Sequence, residues 1–102
     1  MELTVLERLV LLNILPAEGN FATLKLVRQL REELSFDEEE HKLLSFVQDG
    51  EQVHWNLEAE VVKSCVIGEK MTDLIVEKLK ELDKKDKLKN DHFSLYEKFV
   101  EN

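Results

Sequence analysis

The sequence predicts an α+β domain of about four helices with a central small antiparallel β-hairpin or three-stranded sheet. Three observations carry this expectation: apolar residues at helical spacing toward both ends, a turn at Asp49-Gly50 between two alternating runs, and 102 residues with 43% hydrophobic content. A chain of that size buries well over half of its unfolded surface, so a single domain over residues 1–102 is expected. The 35% charged fraction, three Gly and one Pro exclude collagen-like, low-complexity and largely disordered classes.

Thr4 to Glu7 reads T-V-L-E, a capping box in which hydroxyl and carboxylate satisfy the free amides of a helix start. The first helix is expected over about 4–15, stopped before Pro16. Its apolar residues point nearly all round the axis, leaving only Glu7, Arg8 and Asn13 polar. A helix apolar on every side must be covered on every side. Either the rest of the chain covers it, or a second copy does through Val5, Leu9, Leu11, Leu12 and Leu15, with a dimer the simplest homo-oligomer.

The breaker-rich PAEGN, residues 16–20, precedes a second helix over about 21–34, with Asn20 as cap and Leu26, Val27, Leu30 and Leu34 as its core stripe. Lys25, Arg28 and Arg31 form the only basic group outside the C-terminal third. A short helix starts at Asp37, where Glu38, Glu39 and Glu40 suit the positive end of its dipole, and ends near Leu43.

In the hairpin, Asp49-Gly50 as a two-residue turn pairs Gln48 with Glu51, Phe46 with Val53 and Leu44 with Trp55. Leu44, Phe46, Val53 and Trp55 then share the core face, while Ser45, Val47, Gln52 and His54 face outward. Residues 57–67 fit a third strand steadying the hairpin, although Leu57, Val61 and Cys65 also fit a helix. A helix over about 69–84 follows from Met71, Leu74, Ile75, Lys78, Leu79 and Leu82. DKKDKLKND, residues 83–91, is a polar connection, and Asn90 or Asp91 caps a last helix carrying Phe93, Leu95, Tyr96, Phe99 and Val100. Three of the seven aromatics fall in the final ten residues, which predicts a docked tail.

Charge narrows the function. Net charge is −8, and residues 36–60 hold eight acids against one base. Such a surface repels phosphate backbones. A winged-helix-like DNA binder would use Lys25, Arg28 and Arg31, yet its recognition helix would be DEEEHKLL and its wing tip Asp49-Gly50-Glu51, both of the wrong sign. The apolar N-terminal run is interrupted by Glu7, Arg8 and Asn13, so neither a membrane span nor a signal peptide is expected, and a cytoplasmic location follows.

No glycine-rich phosphate loop, nucleophile elbow or His-Glu-x-x-His occurs, and His41, His54 and His92 are far apart. Glu38 and His41 are three residues apart and could share a helical face, which a solvated face explains as well. Cys65 is the only cysteine and reads as a small core residue. No catalytic residue, metal site or cofactor is expected. What remains is a non-enzymatic protein-interaction or regulatory protein, with Asp37, Glu38, Glu39, Glu40, Val47, Gln52 and His54 as the candidate partner surface. A ligand- or nucleotide-sequestering oligomer is a third reading.

LTVLERLVLLNILPAEGNFATLKLVRQLREEL and IGEKMTDLIVEKLKELDKKDKLKNDHFSLYEKFV, and above all Leu95, Tyr96, Glu97, Lys98 and Phe99, resemble short bacteriophage- and prophage-encoded proteins. The resemblance implies a phage or prophage setting within a bacterial host and a host or phage protein as partner, and it transfers no active-site residue.

Overall fold

The computed structural model describes residues 1–101. The order is β1 (Glu2–Thr4), α1 (Val5–Ile14), α2 (Phe21–Leu34), α3 (Glu38–Leu44), β2 (Val47–Asp49), β3 (Gln52–His54), β4 (Val62–Ser64), α4 (Glu69–Lys84) and α5 (Asn90–Phe99). The architecture is α+β, with five helices among the described residues rather than about four.

α1 starts where its capping box requires. The Thr4 hydroxyl accepts from the Glu7 amide at 3.2 Å, and the Glu7 carboxylate accepts from the Thr4 amide at 3.0 Å. Asn20 caps α2 through the Thr23 amide and Asp37 caps α3 through the Glu40 amide, both at 2.8 Å. Neither Asn90 nor Asp91 caps α5; Lys89 holds that position, and its amide donates to His92 Nδ1 at 2.9 Å.

α1 lies at the centre, packed against α2 and α5, while α4 spans α2 and α5. Leu3, Val10, Leu11, Leu15, Val27, Leu30, Leu34, Cys65, Ile75, Leu79, Leu95 and Phe99 form one apolar cluster. Burying side chains of this size stabilises by about 1.5–3 kcal/mol each. Leu95 and Phe99 dock the tail, whereas Phe93 is 67% exposed.

The sheets differ from the expected one. β2 and β3 form an isolated hairpin, and β4 pairs antiparallel with β1, with Leu3 opposite Lys63. Residues 57–67 thus supply a strand, Val62–Ser64, that joins the N-terminus instead of steadying the hairpin. The Cys65 amide donates to the Met1 carbonyl at 2.8 Å and continues that pairing.

The hairpin register is also corrected: Val47 lies opposite His54, Gln48 opposite Val53 and Asp49 opposite Gln52. Gly50 takes φ +62°, while Asp49 is not among the residues at positive φ, so Gly50 and Glu51 are the turn residues. Glycine at the first central position of a two-residue loop marks a type II′ turn, and here Gly-X, not Asp-Gly, sets the pairing. The shift is an even number of residues, so the faces survive. Phe46, Val53 and Trp55 still share one side, but they are half-buried and lie outside the main cluster.

Candidate functional site

The acidic segment is divided between structure and surface. Arg8 on α1 is 0% exposed. Its Nε donates to the Leu34 carbonyl at 3.1 Å and its Nη2 to the Ser35 carbonyl at 2.6 Å, so it ties down the end of α2. Both terminal nitrogens reach the Glu40 carboxylate, and the guanidinium stacks 3.9 Å from the centroid of Phe36. A buried cation needs this full set of acceptors. The Arg8 hydrogen bond, chiefly, holds the Glu40 carboxyl below the usual carboxylate range, against a smaller opposing effect of burial.

Asp37 and Glu40 therefore serve the fold, as cap and as counter-ion; Asp37 is exposed all the same, while Glu40 is half-buried with its carboxylate turned to Arg8. Glu38 and Glu39 remain exposed, with Glu38 4.0 Å from Lys42. Beside Arg8, Phe36, His41, Phe46 and Trp55 form a chain of edge-on and tilted rings with centroids 5.0–6.3 Å apart. This small cluster seats α3 and the hairpin.

Val47, Gln52 and His54 are exposed on the outer face of the hairpin. Of the residues expected to seek a second copy, Val5, Leu11 and Leu15 are buried by their own chain, and Leu9 and Leu12 are half-buried. Those three are not available to a second copy in the folded chain. Two of the three polar residues of α1 are covered too, Arg8 and Glu7, the latter 3% exposed, while Asn13 meets solvent. Burial works to raise the Glu7 pKa, but Lys98 Nζ at 2.7 Å, with the Thr4 amide and Ser94, holds it below the usual range.

Lys25, Arg28 and Arg31 are exposed along α2 with no ion pair among the described residues. Among the described residues no three His, Cys, Asp or Glu side chains are placed to hold a metal ion. Cys65 is 1% exposed, and burial pushes its thiol pKa up, away from reactivity.

Sequence reasoning missed a groove of about 390 Å³ between the start of α1 and residues 55–62. Thr4, Leu6, Trp55, Leu57, Glu60 and Val62 are among its walls. Leu6 is 37%, Leu57 77% and Val62 54% exposed, so three large apolar side chains meet solvent beside the half-buried Trp55. Glu58 and Glu60 are exposed in the same segment and carry no ion pair among the described residues. The available signal was Leu57, Val61 and Val62 standing apolar beside the two acids Glu58 and Glu60.

A larger cavity of about 700 Å³ at the α4–α5 turn is lined by Lys78, Lys85, Lys87 and Lys89 over Ile14, Leu82 and Leu88. Glu81 pairs with both Lys78 and Lys85, at 3.4 and 2.9 Å. The C-terminal carbonyls of α1 and α4 also lie at this end, and lysines there complement two negative dipole ends.

The fold and groove together define a small α+β domain with an apolar, acid-flanked recess. No family model, curated protein or solved structure matches the chain.

Proposed function

We propose that the chain is a non-enzymatic protein-interaction or regulatory accessory protein of phage or prophage setting. It captures a basic, partly apolar segment of a host or phage protein on its acidic side. The observation that carries this reading is the groove, where Leu6, Leu57 and Val62 stand exposed around Trp55 with Glu58 and Glu60 unpaired beside them. Apolar anchors in such a recess supply affinity when water leaves, and the flanking acids steer and orient a cationic partner. The outer hairpin residues Val47, Gln52 and His54, with Glu38 and Glu39, extend the same acidic half of the sequence.

DNA binding through Lys25, Arg28 and Arg31 is the alternative. Their exposure favours it, and the acidic α3 and hairpin tip oppose it. A gel shift with nonspecific duplex should be blank; salt-sensitive binding lost in Arg28→Ala and Arg31→Ala would reverse the order of the two readings.

Trp55 is the only tryptophan and lies in the groove, so its emission reports occupancy. A synthetic amphipathic leucine–lysine peptide should shift that emission saturably, and the response should vanish in Glu58→Lys/Glu60→Lys. An unchanged spectrum, or an equal response to a leucine–glutamate peptide, overturns the proposal.

A further inference from the structure

The kind of segment that the groove fits is present on the chain itself. On α2, Phe21, Lys25 and Arg28 lie on the face turned away from the core stripe of Val27, Leu30 and Leu34, and Leu24 and Arg31 extend that face along the edge beside Val27. Phe21 is 82% exposed, Leu24 is 37% exposed, and the three cations are exposed without ion pairs among the described residues. Glu32 is the one acid on that face, near its C-terminal end.

We infer that this basic, aromatic face of α2 docks into the acidic groove of a second copy of the chain, joining molecules head to tail. Phe21 and Leu24 meet the apolar recess of Leu6, Trp55, Leu57 and Val62. Lys25, Arg28 and Arg31 face Glu58 and Glu60. Both copies are acidic overall, but charges are screened over about 8 Å at physiological ionic strength, so the facing patches decide the sign of the contact. A contact between two different surfaces leaves one of each free at the ends, so association grows with concentration instead of stopping at a closed pair unless the ring closes.

This inference rests on the groove reading and adds a consequence to it. The α2 face of one molecule occupies the recess that a basic partner would take, so partner binding and self-association exclude one another.

Sedimentation of the full chain near physiological salt should give a mass above 12.0 kDa that rises with concentration. It should fall back to the monomer as salt is raised about tenfold. Arg28→Glu/Arg31→Glu and Glu58→Lys/Glu60→Lys should each be monomeric, with helical content unchanged because the altered residues are exposed. Mixed in equal amounts, the two variants should form a complex, since every reversed face then meets its complement. A wild-type monomer at all concentrations, association that survives both variants, or a mixture that stays monomeric overturns the inference. Retained Trp55 response to the leucine–lysine peptide in Arg28→Glu/Arg31→Glu would show that the groove reading stands even where self-association has failed.

Discussion

Arg8 and Glu40 form a two-pronged ion pair with the guanidinium fully buried and the carboxylate side chain 14% exposed. The pair joins the central helix α1 to the short acidic helix α3 across 32 residues of sequence. Glu40 also accepts from the Asp37 amide at 3.1 Å, so one carboxylate both completes a capping box and neutralises a core cation. A run of four acids that looks like a binding patch therefore contains one of the principal tethers of the fold.

Removing one partner should reveal this. Glu40→Ala strands a buried guanidinium and should destabilise by about 3–5 kcal/mol in urea unfolding. Arg8→Met should be milder, because the freed carboxylate can reach water. The double variant Arg8→Met/Glu40→Leu should recover part of the loss, since a buried pair replaced by apolar groups is often neutral. Strict additivity of the two single changes would contradict the pairing.

Acid should weaken the fold with a recognisable shape. The Arg8 guanidinium depresses the folded pKa of Glu40, and Glu7 is depressed likewise, with the Lys98 ammonium and the capping amide outweighing burial. In the unfolded chain both carboxyls titrate near 4.5. Their stabilisation is thus fully present above that value and is lost as pH falls through the lower folded values. His92 acts in the same direction at higher pH. Burial, partly opposed by Asp91, pushes its imidazole below 6.5, so the unfolded chain takes that proton first. Urea midpoints should begin to fall near pH 6.5 and fall more steeply below 4.5. Glu40→Gln should flatten the lower limb, and constant stability down to about pH 3 would contradict the assignment.

The C-terminal helix offers a test of docking. Leu95 is 0% exposed within the main cluster, and Leu95→Ala should cost about 2–5 kcal/mol. Phe93→Ala, at a residue that is 67% exposed, should change stability by less than about 0.5 kcal/mol. Thermal unfolding of the two variants side by side checks the difference; equal losses would mean that α5 is seated differently.

Particular residues show why some of this was legible in the sequence. α2 over Phe21–Leu34 follows from stripe and cap, and α4 over Glu69–Lys84 from its stripe alone, because helical periodicity is local. The β1–β4 pairing was not legible: each strand has three residues, and Thr4 and Val62 meet across most of the chain. The alternating faces of the hairpin were readable, but its register turned on whether Asp49 or only Gly50 takes positive φ. Arg8 carried a signal that went unused. A mostly buried helix carries some of its polar residues inward, and a buried arginine needs a carboxylate, which the acidic run supplies. The groove has no periodic signature, since Leu57 and Val62 lie in irregular chain and at a strand end.

In the proposed function, residues 55–62 and the start of α1 form the partner-binding recess. Nitrogen-15 amide spectra recorded during titration with the leucine–lysine peptide test it most directly. Saturable shifts are expected at Leu6, Trp55, Leu57, Ala59, Glu60 and Val62 and their neighbours, joined by α2 face residues Phe21 to Arg31 as the peptide displaces a second copy, and absent in Glu58→Lys/Glu60→Lys. Shifts centred on Lys78, Lys87 and Lys89, or no shifts at saturating peptide, would contradict it.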